Sequence, residues 1–62
     1  MMTKRAEFSV ALFARSADSE TLHNAIMEAI QDRDDAKLAI YWAEGNRRIK
    51  AEADRIKQEV AS

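Results

Sequence analysis

Apolar residues recur through the last part of the chain at Leu38, Trp42, Gly45, Ile49, Ala53, Ile56 and Val60. Their spacing keeps to steps of four and three, which places them on one side of a helix with 3.6 residues per turn. The pattern holds without interruption and predicts one long helix over residues 35–60. Gly45-Asn46 offers a competing reading, a helix stop followed by a new start. A glycine inside a helix costs about 1 kcal/mol relative to alanine. On this stripe it reads as a point where another element comes close. Before it, Leu22, Ile26 and Ile30 repeat every four residues, with Ala25, Met27 and Ala29 beside them, and predict a helix over 19–31. Residues 4–15 read as a first helix with Phe8, Ala11, Leu12 and Arg15 on one face and Phe13 at its edge. The same segment supports a second reading. Phe8, Val10 and Leu12 alternate with Ser9 and Ala11 as in a short strand, which implies a ribbon-helix-helix dimer that reads DNA with paired strands.

Two polar breaks divide these segments, Ser16-Ala17-Asp18-Ser19 and Asp32-Arg33-Asp34-Asp35. Short polar side chains compete with helical backbone hydrogen bonds but satisfy free amides at a helix start. Thr3, then Asp18 or Ser19, then Asp34 are the expected N-caps. Proline is absent and there is a single glycine, so little else interrupts helix. Glu44/Arg48, Lys50/Asp54 and Arg55/Glu59 sit four apart and support the last helix. The expected fold is all-α: one domain over 1–62, three helices, the last one long. Its expected core is Phe8, Leu12, Leu22, Ile26, Ile30, Leu38, Trp42 and Ile49.

Size makes that core marginal. A chain of 62 residues buries roughly 60% of its unfolded surface. Small scaffolds add disulfides, metals or partners. With no cysteine, disulfides and thiolate–zinc sites are excluded, which leaves association with another chain. The part of the stripe from Ile49 to Val60 lies beyond the reach of the shorter helices. It is expected to bury Ile56 against a second chain, as a homodimer or a hetero-complex. Catalysis needs a nucleophile with its base, paired carboxylates across a cleft, or a metal. One histidine, His23, and one glycine provide neither a catalytic constellation nor a phosphate loop, so no enzyme activity, cofactor or metal is expected. His23 reads as an ordinary boundary residue. No apolar stretch is long enough to span a membrane and no signal peptide is visible, so a cytoplasmic protein is expected.

The net charge of −1 conceals a division. Residues 1–15 carry +2, residues 16–35 carry −5, and residues 36–62 carry +2. The acidic middle reads as a solvated face, or as a docking patch for a basic partner. Arg47, Arg48, Lys50, Arg55 and Lys57 are interleaved with Glu44, Glu52, Asp54 and Glu59. A nucleic-acid footprint would instead be a patch of one sign, so contact with nucleic acid is expected only indirectly.

Three segments resemble the Hha/YmoA family of nucleoid-associated expression modulators. Leu12-Phe13-Ala14-Arg15-Ser16-Ala17-Asp18-Ser19-Glu20-Thr21-Leu22 is similar to that family's junction between its first two helices. There an arginine, a polar break and a Thr-Leu pair open the second helix, and Ile26 falls at the next core aliphatic. Asp35, Leu38, Ala39, Ile40, Tyr41 and Trp42 resemble its acid, Glu-Leu-Ala-aliphatic-aromatic-aromatic segment. Asn46-Arg47-Arg48-Ile49 resembles its Asp-His-Arg-Leu block. The register runs without a gap from about residue 10 to residue 49. The chain departs from the family at Asn46 and His23, where the family has acids, and at Ser16, where it has cysteine. The family's C-terminal helix with its tryptophan is missing. The length and the Met2-Thr3-Lys4 start are also similar to Rop-like RNA-binding hairpins, though the break at 16–19 falls where their first helix is continuous.

The resemblance implies a non-enzymatic, Hha-like modulator of gene expression acting by contact with an H-NS-type nucleoid-associated protein. A second expectation is a helical adaptor or inhibitor encoded by a mobile element and bound to an unrelated host protein. The residues expected to meet a partner are Glu20, Glu28, Asp35 and Glu44 by charge, with Tyr41, Trp42 and Ile56 as apolar anchors. Trp42 is expected in the core and Tyr41 beside it.

Overall fold

A computed structural model describes residues 3–61; Met1, Met2 and Ser62 of the expected domain lie outside the described residues. Three helices follow in order: α1, Lys4–Ser16; α2, Ser19–Gln31; and α3, Asp35–Ala61. All of the described secondary structure is helical, and the strand reading of Phe8–Leu12 is overturned because these residues lie inside α1. The same is true of the reading that stops a helix at Gly45-Asn46: α3 continues through both.

Each helix begins on its expected cap. The Thr3 hydroxyl accepts from the Ala6 amide at 3.2 Å. The Asp18 carboxylate accepts from Thr21 at 2.7 Å, and Asp34 accepts from Lys37 at 3.2 Å. Between α2 and α3 the chain reverses through Arg33, whose φ of 53° is left-handed. The Arg33 amide donates to Ile30 O at 3.2 Å and the Asp34 amide to Ala29 O at 2.9 Å, a Schellman arrangement that satisfies the free carbonyls of α2.

α1 and α2 both pack on the first half of α3. The buried residues are Ala14 of α1, Leu22 and Ala29 of α2, and Tyr41 of α3, flanked by half-buried Val10, Ala17, Ala25, Ile26 and Leu38. This corrects the expected core. Leu22 is buried and Ile26 and Leu38 are partly so, but Phe8, Leu12, Ile30, Trp42 and Ile49 are exposed. The reason is rotational. Two helices flank α3, so its buried arc centres on Tyr41, one position and about 100° away from Trp42. On α1 the inward face is Val10, Ala14 and Ala17, which turns Phe8 and Leu12 outward. Alanines at the contacts let the backbones approach, and the large side chains are left at the margins.

Gly45 is not a point of close approach within the chain: a Cβ placed there meets nothing within 4 Å. Gly45→Ala should therefore recover helix propensity without a clash. It is expected to raise stability by about 0.5–1 kcal/mol, read as a higher urea midpoint at unchanged slope.

Candidate functional site

The most ordered polar feature lies where α1 ends against α3. Glu44 is only 9% exposed. Arg47 holds it with a two-pronged grip, Nε to Oε1 at 3.0 Å and Nη2 to Oε2 at 2.7 Å. Arg48 Nε donates to Oε2 at 2.7 Å. The other end of the Arg48 guanidinium crosses to α1, where Nη2 donates to Ala14 O at 2.9 Å, to Arg15 O at 3.4 Å and to Ala17 O. Those carbonyls belong to the last turn of α1 and its exit, where helical acceptors lack partners and the dipole favours a cation. Ser16 adds its own hydroxyl to Leu12 O at 3.0 Å and Phe13 O at 3.2 Å. The two arginines hold the Glu44 carboxyl down to about 2, from an ordinary value of 4.5, through hydrogen bonds that favour the charged form. This network is a clasp between helices, and beside it Ala11, Ala14, Arg15, Ile40, Ala43, Glu44 and Arg47 line an open groove between α1 and α3.

The residues expected to meet a partner do not come together as one patch. Glu20 and Glu28 are exposed on α2 but lie eight residues apart, about 12 Å along the axis and about 80° apart around it. Asp35 is exposed at the start of α3, at the far end of α2 from Glu20. Glu44 is turned inward and taken up by Arg47 and Arg48. Of the other acids in the −5 segment, Asp18 and Asp34 are occupied as caps, and hydrogen bonds from Thr21 hold the Asp18 carboxyl below its ordinary value. The two aromatics exchange their expected places. Tyr41 is 7% exposed and meets Phe13 edge to face, with ring centres 6.2 Å apart. Trp42 is 56% exposed. Ile56 is exposed on the free part of α3. His23 is exposed and, with Leu22, Ile26, Gly45, Arg48 and Ile49, lines an open groove between α2 and α3.

Of the charge pairs expected on α3, Glu44–Arg48 forms, while Arg55 pairs with Glu52, one turn before it, instead of Glu59, one turn after it. The cross-helix role of Arg48 is the feature the sequence did not announce. Its only trace there was the four-residue spacing from Glu44.

Among the described residues no group of three or more His, Cys, Asp or Glu side chains is placed to hold a metal ion. No described helix is long and apolar enough to cross a membrane. Fold and surface together define a small all-α protein with an internally clasped polar centre and apolar side chains facing outward. Neither a protein-family model, nor a curated protein, nor a solved structure matches this chain.

Proposed function

We propose that the protein works by docking on another protein, as a Hha-like modulator of gene expression with an H-NS-type nucleoid-associated partner. The observation that carries this reading is the exposed Trp42, with Glu20, Glu28 and Asp35 exposed separately along α2 and at the start of α3. An exposed tryptophan is the side chain type most enriched at binding hot spots, and acids exposed elsewhere on the surface guide a basic partner by long-range attraction. The register of residues 10–49 with the Hha/YmoA pattern supports the choice of partner. Tyr41 and Glu44 act in this reading from inside, by holding α3 in place.

The test is titration of the protein with a purified H-NS-type protein at two salt concentrations. The screening length falls from about 10 Å at 0.1 M salt to about 3 Å at 1 M. Binding is expected to weaken over that range. Trp42→Ala should slow nothing but raise the dissociation rate, and Glu20→Lys with Asp35→Lys should lower the association rate. No binding at either salt concentration sinks this partner. The exposed stripe from Ile49 to Val60, which lies outside residues 10–49, then favours the second reading, a helical adaptor or inhibitor of an unrelated protein.

A further inference from the structure

The protein is elongated, 46 × 23 × 16 Å. α1 and α2 cover only the first half of α3, and every residue from Ile49 to Ala61 is exposed. The exposed surface totals 5263 Å², against roughly 4,000 Å² for a compact monomer of 7.0 kDa. The excess exceeds the roughly 800 Å² per partner that a standard interface covers.

The order of side chains on this free helix is informative. Trp42, Ile49 and Ile56 fall at one core position of a heptad, d, and Asn46, Ala53 and Val60 at the other, a. On the flank that follows d, the e positions Lys50 and Lys57 are both basic. On the flank that precedes a, the g positions Glu52 and Glu59 are both acidic. We infer that this half of α3 pairs with the same segment of a second copy of the chain, as a parallel two-stranded coiled coil. In a parallel pair g faces e of the following heptad, so Glu52 of each copy meets Lys57 of the other, twice by symmetry. In an antiparallel pair e faces e and g faces g. Lysine then opposes lysine and glutamate opposes glutamate along both flanks. The charge pattern therefore selects one orientation.

Asn46 points the same way. In a parallel pair in register it faces its own copy, and two amides can donate and accept between them. Out of register it meets an apolar side chain and loses a partner. A single asparagine at this position is a known means of fixing register and strand number. Ala53 keeps the helices close between the two isoleucine layers. Glu52 already pairs with Arg55 of its own helix, but its side chain is 55% exposed and a carboxylate accepts from several donors at once. Trp42 is common to this stripe and to the proposed docking surface. The variants that test the association, at Glu52, Ile56 and Lys57, lie on the end of α3 away from Trp42, Glu28 and Asp35, so its failure is told apart from failure of docking on an H-NS-type protein.

Sedimentation equilibrium on the whole chain tests it. A mass of twice 7.0 kDa is expected at high concentration. Lys57→Glu places Glu52 against a second glutamate and should weaken association about tenfold, and Lys57→Glu combined with Glu52→Lys should restore it. An antiparallel pair responds in the opposite sense, because Lys57→Glu removes a repulsion. Ile56→Asp should give monomers whose helical circular dichroism and Tyr41 environment are kept. Orientation is read independently from two cysteine variants, Ile49→Cys and Val60→Cys, in a chain otherwise free of cysteine. Oxidation of their mixture should link like with like. Links between position 49 and position 60 would falsify the parallel arrangement, since equivalent α-carbons must lie within about 7 Å to be bridged. A monomer at millimolar concentration, or a mass of three or more chains, overturns the proposal.

Discussion

Tyr41→Ala is expected to cost about 3–4 kcal/mol and to leave much of the protein unfolded at 25 °C, whereas Trp42→Ala costs under about 1 kcal/mol. The two residues are adjacent and both aromatic, so the contrast comes from placement. Tyr41 sits between α1 and α2, in contact with Phe13 and among Ala14, Leu22 and Ala29. Its removal leaves a cavity that alanines cannot close, because each alanine is already at its contact. Trp42 lies half in solvent and its truncation opens no interior space. Urea unfolding followed by circular dichroism separates them. Equal losses for the two variants would show that the buried arc of α3 is centred elsewhere.

Arg48→Met is expected to cost about 2–3 kcal/mol, since it leaves the carbonyls of Ala14 and Ala17 without their donor and deprives a buried carboxylate of one of its two cations. Arg48→Lys recovers little of this, because an ammonium cannot bridge Glu44 and the α1 carbonyls as a planar fork does. Arg47→Ala costs less, under about 1 kcal/mol, as its side chain is 53% exposed and solvent screens the pair. The same clasp sets an acid limit on the fold. Glu44 titrates near 4.5 when unfolded and near 2 when folded. Its contribution is complete above pH 4.5 and is lost as the pH falls through that interval toward 2, because the unfolded chain takes up the proton first. Acid unfolding of Arg48→Met should begin at higher pH than that of the unaltered protein.

The helices were legible because their determinants are local. Thr3, Asp18 and Asp34 needed only the amide three residues ahead, and the spacing of apolar residues from Leu38 to Val60 carried α3 past Gly45. Which part of each face would be covered was not local. The same spacing is compatible with a buried arc on Trp42 or on Tyr41, and the choice depends on two helices arriving from either side. Nor does a sequence distinguish a large apolar residue that seals the interior from one left for another chain. Phe8, Leu12 and Ile49 satisfy the helical pattern and still face outward. The candidate docking acids show the same boundary. Glu20, Glu28 and Asp35 stay at the surface as their charge suggested. Glu44 is drawn inside by Arg48, whose other contacts lie more than thirty residues away along the chain.

The continuity of α3 has a kinetic consequence. An isolated helix must first organise a turn at a large entropic loss, with a nucleation constant of about 10⁻³. The segment from Ile49 to Ala61 never meets that obstacle, because its first turn grows from one already fixed by α1 and α2. It extends by single-residue steps, each nearly neutral in free energy, and is lost by the same steps in reverse. Its winding and unwinding are therefore uncoupled from the opening of the globular end and proceed on the submicrosecond scale of helix elongation. The arm from Ile49 to Ala61 is thus a helix whose first turn is supplied by the globular end, and whatever seizes it captures a helix already formed at its root.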